Sequence, residues 1–236
     1  MRYVLLVIAV SACANCGGNN NQPDAPVVGD GPCGAETYFT GEVVDWDETE
    51  ASFCGVFNAK MTVHGDAART DTTNPNGRFE LCIAHAATTQ VDLEPPTGAS
   101  QCVSPLGSTY SIPGIVIANQ QVIATGKTFS ARMITMQRVM PFFTGLGVTY
   151  DPAKAVVFVH VEGTLHPVAS SAAHDTTLAF NSGVWAAGDT GANVVFPNTD
   201  PAGGTTNITV SGGSAIGTGS VPVAAGTFTY LTIVGN

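Results

Sequence analysis

Residues 74–81 read Asn-Pro-Asn-Gly-Arg-Phe-Glu-Leu (NPNGRFEL), and this octet decides the class of the fold. Asn76-Gly77 suits the positive φ angles of a tight hairpin turn, and Pro75 fixes the entry of the chain into it. Beyond the turn the side chains alternate: Phe79, Leu81 and Ile83 fall on one face, Glu80 and Cys82 on the other. That is the period of two of a half-buried strand, and the apolar set is the predicted core.

The same punctuation recurs outward from this turn. TYFTGEVVDW (37–46), GVFNAKMTVHG (55–65) and TTQVDLEPP (88–96) each read as a strand, spaced as in an antiparallel sandwich. Nearer the carboxy terminus come TYDPAKAVVFVHVEG (149–163), TTLAF (176–180), NVVFPNT (193–199), TNITVSG (206–212) and GTFTYLTIVG (226–235). In the first of these, Val157, Val159 and Val161 alternate with Val156, Phe158 and His160, so both faces are largely apolar, as in a strand inside a sandwich. Between the two groups, GKTFSARMITMQRVMPFFTGLGV (126–148) has helical spacing at Phe129, Met133, Met136 and Met140. Thr128 is the expected cap and Pro141 the expected stop, and the methionine stripe is read as core facing a sheet.

Composition agrees with this reading. The 236 residues are 44% hydrophobic and only 11% charged, with 27 Gly and 14 Pro, which describes a globular chain rich in turns. Eight Lys plus Arg against 18 Asp plus Glu give a net charge of −10, which repels a phosphate backbone; nucleic acid is not an expected partner.

The amino terminus is of another kind. Met1-Arg2 is basic, YVLLVIAV (3–10) is apolar, and Ser11-Ala12 are small, the order of a secretory signal. The apolar run is too short to span a bilayer, which takes about 20 residues. Val10-Ser11-Ala12-Cys13 resembles the lipobox of bacterial lipoproteins. The resemblance implies cleavage after residue 12, a thioether-linked diacylglycerol on Cys13 and acylation of its amino group. Ala14 resembles the outer-membrane sorting class. Each buried CH₂ adds about 0.8 kcal/mol of membrane affinity, so several acyl chains anchor permanently. The stretch 13–32 is rich in Gly, Asn, Pro and Asp, and is expected to be a flexible tether.

Gly41-Glu42-Val43-Val44, then GVFNAKMTVHG, then Thr70-Asp71 leading to the NPNGRFEL octet, resembles the carboxypeptidase regulatory-like domain, a transthyretin-like β-sandwich, over residues 38–96. In that family the matching residues Thr70, Asp71, Gly77 and Phe79 form a turn and a core anchor, and hydrolytic chemistry belongs to a separate zinc domain. No histidine here is followed three residues later by Glu, so the zinc domain's H-x-x-E motif is missing. The expected fold is therefore mainly β: two transthyretin-like or Ig-like antiparallel β-sandwich units, 33–120 and 154–236, joined by a helical connector, 121–153. One larger sandwich crossed by the helix is the competing architecture.

With Cys13 lipidated, five cysteines remain, and in an oxidising compartment Cys33, Cys54, Cys82 and Cys102 are expected to pair, leaving Cys16 over. Of the three connectivities, adjacency to candidate strands favours Cys54 with Cys82 and Cys33 with Cys102. His174-Asp175 near Ser170 and Ser171 lacks the context of a serine triad, and His160 and His166 lack a third ligand at a recognisable spacing, so neither catalytic residue nor metal nor cofactor is expected. Trp46 and Trp185 are the candidates for stacking on sugar rings. The expected function is a lipid-anchored, non-catalytic lipoprotein of the outer membrane with structural or protein contacts, the alternative being a carbohydrate-binding surface module.

Overall fold

Three layers of strands stack because the middle layer is apolar on both sides. The computed structural model describes residues 32–46, 54–98, 102 and 108–236; the expected signal segment, Cys13, Cys16 and the expected tether up to residue 31 lie outside them. In chain order the elements are β1 (Thr37–Asp45), β2 (Lys60–Val63), β3 (Thr70–Thr72), β4 (Arg78–Ile83), β5 (Thr88–Glu94), β6 (Gly114–Asn119), α1 (Gln120–Ile123), β7 (Phe129–Met133) and α2 (Met136–Gly145). They continue with β8 (Ala155–Gly163), β9 (Val168–Ser170), β10 (Leu178–Asn181), β11 (Val184–Ala187), β12 (Asn193–Thr199), β13 (Thr205–Val210), β14 (Ala215–Ile216), β15 (Gly219–Pro222) and β16 (Phe228–Gly235).

The central sheet runs β11-β10-β12-β8-β16-β6-β5-β2-β3, with β14 added on β16. One outer sheet is β4-β1-β7 and the other β15-β13-β9. The alternation of β8 assigns its side chains to two cores. Val156 and Phe158 join Phe39, Phe79 and Phe129 of the first outer sheet. Val157, Val159 and Val161 join Val168, Ile208 and Val221 of the second. β6 and β16 divide in the same way, Val116 and Tyr230 to one side, Ile117 and Leu231 to the other. Each large apolar side chain so enclosed contributes about 1.5–3 kcal/mol, which makes the doubly buried strands the main source of stability.

The mainly β class is as expected, and Phe79, Leu81 and Ile83 are core residues at 1%, 4% and 0% exposure. The division into two units is not. β6, from the first expected unit, is hydrogen-bonded to β16, which also pairs with β8 of the second. A single hydrophobic cluster takes side chains from Phe39 through Tyr230. The chain is thus one larger sandwich with a third layer. The pairing is also mixed: β16 is parallel to both β6 and β8, and β1 is parallel to β7.

The expected helix at 126–148 divides into a strand and a shorter helix. Phe129, Ala131 and Met133 are each 2% exposed and lie on one face of β7, a period of two that helical spacing from 129 to 133 concealed. Pairing with β1 supplies the backbone partners, so tertiary context overrides the local pattern. α2 starts after Thr135, not Thr128, and the Thr135 side chain makes no capping bond. Pro141 lies inside it, where its missing N–H costs one intrahelical bond rather than ending the helix. The buried face of α2 is Val139 and Phe143, while Met136 and Met140 are 43% and 56% exposed, so of the methionine stripe only Met133, in β7, is core.

The octet at 74–81 also differs in detail. The turn is closed by Gly77 N–H donating to the Asn74 carbonyl, and Gly77 alone has a positive φ, 73°; Asn76 does not. Its flanking strands belong to different sheets, β3 to the central one and β4 to an outer one, so the turn carries the chain between layers.

Candidate functional site

The cysteines form two bridges, Cys33–Cys82 and Cys54–Cys102, correcting the expected pairing. The reason lies in β1. Cys82 is opposite Tyr38 near its start, and Cys54 accepts from Asp45 N–H at its end. Seven residues of strand separate those points by about 23 Å, far beyond the ~7 Å that a disulfide spans between Cα atoms.

Trp46 is 1% exposed, held at the end of β1 by its backbone N–H donating to the Met133 carbonyl. It stacks on Trp185, with ring centroids 5.7 Å apart and an interplanar angle of 13°. Phe142 of α2 meets both indoles edge-on, and Phe180 lies 5.3 Å from Trp185. The two expected sugar-stacking candidates are therefore brought together, but as a packed pair: Trp46 offers no face to solvent and Trp185 is half-buried.

Beside Trp46 the carboxylate of Asp45, 3% exposed, accepts from Tyr110 Oη at 2.6 Å and from Arg138 Nη1 at 3.0 Å. This network ties β1, the approach to β6 and α2 together. Nothing in the local sequence announces it, because its members are 65 and 93 residues from Asp45.

The candidate triad does not assemble. His174 Nδ1 donates to the Asp175 backbone carbonyl at 2.6 Å, while Ser170 Oγ pairs with Thr206 Oγ1 at 2.7 Å. His174 and Asp175 instead line a cleft of about 610 Å³ with Asp151, Lys154, Asn198 and Asp200. Asn198, with φ 51° at the irregularity in β12, donates to the Thr149 carbonyl and to Asp175 Oδ2 and accepts from Asp151 N–H. That is a cross-link between loops. His160 and His166 have separate partners. His160 lies between Asn193 (2.8 Å) and Glu162 (3.2 Å), whereas His166 Nε2 donates to the Asn236 carbonyl. The His160 hydrogen bond and the neighbouring Lys127 ammonium hold the Glu162 carboxyl down at about 2, against the opposing effect of partial burial. Among the described residues no cluster of three His, Cys, Asp or Glu has a metal-binding arrangement.

Sequence reading overlooked β11. The Ser182-Gly183 pair is a turn signal, and both residues have positive φ, 52° and 85°, so β10 and β11 form a two-residue hairpin with Asn181 opposite Val184. β11 has β10 as its strand partner on one side and none on the other among the described residues. Val184 is 64% exposed.

No family model matches this chain, and no curated protein matches it. Among solved structures it is similar to a point mutant of the shaft pilin spaA from Lactobacillus rhamnosus GG, with 9% sequence identity, coverage of 85% of this chain and 97% of that one, and a TM-score of 0.26. A likeness of that degree carries no argument about function.

Proposed function

We propose that this chain is a lipid-anchored, non-catalytic protein of the bacterial outer membrane, built on a carboxypeptidase regulatory-like β-sandwich and acting through structural or protein contacts. The observation that carries the reading is Val10-Ser11-Ala12-Cys13 at the end of a short apolar run, followed by 20 residues, 13–32, that resemble a tether. The two disulfides support export, since such bridges persist in oxidising compartments. The residues that match the regulatory-like family hold structural positions. Gly77 takes the left-handed turn, Phe79 is buried, Thr70 Oγ1 donates to the Met61 carbonyl, and Asp71 Oδ2 accepts from Glu80 N–H. Mass spectrometry of the membrane fraction from cells fed labelled palmitate tests the anchor. A lipidated peptide beginning at Cys13 is expected; a mature protein without lipid on that residue would sink the proposal.

A further inference from the structure

The open edge of the central sheet at β11 presents a defined set of backbone groups. In an antiparallel hairpin, hydrogen-bonded and non-hydrogen-bonded pairs alternate. Asn181–Val184 closes the two-residue turn as a hydrogen-bonded pair, and Gly188 N–H donates inward to the Thr177 carbonyl at 3.0 Å, in phase with it. Val184 and Ala186 therefore direct their N–H and C=O groups at β10. Trp185 and Ala187 direct theirs outward, giving two donors and two acceptors with no strand beyond them among the described residues.

Sheet edges are ordinarily blunted by charge, proline or brevity. The other end of this sheet follows that rule: β3 has three residues and centres on Asp71, with Arg69 just before it. Residues 181–188, Asn-Ser-Gly-Val-Trp-Ala-Ala-Gly, carry neither charge nor proline.

We propose that β11 pairs antiparallel with β11 of a second copy of this chain, about a twofold axis through Ala186, joining the two central sheets. The inference rests on the non-catalytic, protein-contact reading above and gives it a surface and a partner. Centring on Ala186 engages every outward group, with Trp185 opposite Ala187 of the second copy and the reverse, in four hydrogen bonds. The side chains in that register are self-complementary. Trp185 meets an alanine, Val184 meets Gly188, and Ala186 meets itself at a non-hydrogen-bonded position, where Cα atoms approach to about 4.5 Å. Asp189 lies past the end of the strand, in a bend where its carbonyl accepts from Val168 N–H of the same chain, so the pairing is confined to Val184–Gly188.

The test uses the full chain in detergent, with Cys16→Ser to remove the leftover thiol. Native mass spectrometry is expected to show a dimer that Ala187→Pro converts to a monomer at unchanged Tm, because proline there removes an outward N–H and leaves the β10 ladder intact. Ala186→Cys is expected to give a disulfide-linked dimer at least tenfold faster than Val184→Cys, whose symmetry mate lies about 14 Å away. A monomer at all concentrations, or equal cross-linking by the two cysteine variants, overturns the interface. A monomer with lipid on Cys13 would refute this pairing alone, whereas an unlipidated dimer would refute the anchor alone.

Discussion

Gly55 and Gly77 meet backbone to backbone. A Cβ on Gly55 would stand 2.1 Å from the Asn76 carbonyl carbon, and one on Gly77 would stand 2.8 Å from the Gly55 Cα and 2.2 Å from the Val43 carbonyl oxygen. Three segments converge here, since Val43 donates to the Gly77 carbonyl and accepts from Val56 N–H. Gly77→Ala combines a left-handed backbone strain of about 1–2 kcal/mol with overpacking of about 1–3 kcal/mol. A loss of about 2–5 kcal/mol in urea unfolding is expected, and Gly55→Ala is expected to be similarly damaging without additivity in the double variant. A loss under 1 kcal/mol for either would show that the contact yields easily.

Each disulfide closes a loop of nearly fifty residues, the separations being 49 and 48. On the chain-entropy account each contributes about 4 kcal/mol, reduced by whatever structure the unfolded chain retains. Replacing Cys33 and Cys82 together by serine should lower the denaturant midpoint at unchanged far-ultraviolet dichroism, and so should the Cys54/Cys102 pair. Peptide mapping under non-reducing conditions should recover the two connectivities seen here; a Cys54–Cys82 peptide would contradict the geometry of β1.

The Asp45 carboxylate is buried against Arg138 and Tyr110. Removing one partner of such a pair leaves a charge without compensation, at a cost of about 3–5 kcal/mol. Arg138→Met should therefore destabilise by about 3 kcal/mol and Tyr110→Phe by about 1–2 kcal/mol, the cost of an unmet buried acceptor. The double variant Asp45→Asn/Arg138→Met should be less destabilised than Arg138→Met alone. A strictly additive result in a thermal-melt cycle would exclude coupling between the two groups.

Glu162 supplies a pH dependence. Its carboxyl is held at about 2 in the folded chain by His160 and Lys127, below its usual range, so ionisation stabilises the fold. That stability is fully present above the unfolded value of ~4.3 and is lost as pH falls towards 2. Because the group is only partly enclosed, solvent screening reduces the effect to about 1 kcal/mol. Wild type should lose that amount between pH 4.5 and 2 relative to Glu162→Gln, whose melting curve should lack this component; parallel curves would remove the ion pair from the account.

Several features were legible in the residues themselves. The strand NVVFPNT coincides with β12, and the Phe79-Leu81-Ile83 face is buried as its alternation requires. Others were concealed by the same chemistry. β6 (Gly114–Asn119) is buried at all six positions and so shows no alternation, and the spacing of Phe129 and Met133 fits a helix and a strand equally. The aromatic pair Trp46 and Trp185 was visible only as two residues 139 positions apart.

The sequence by itself determined what depends on neighbours along the chain: the mainly β class, turns at glycine and asparagine, a core set with period two, and four cysteines suited to pairing. Tertiary structure alone decided which strands are adjacent, that β16 lies parallel between β6 and β8, that one sheet absorbs both expected units, and that Cys33 bridges Cys82. Those outcomes turn on how distant segments cover one another, over separations from 49 residues between Cys33 and Cys82 to 114 between Gly114 and Phe228. A period of two states that a strand has a buried face, but not which sheet will bury it.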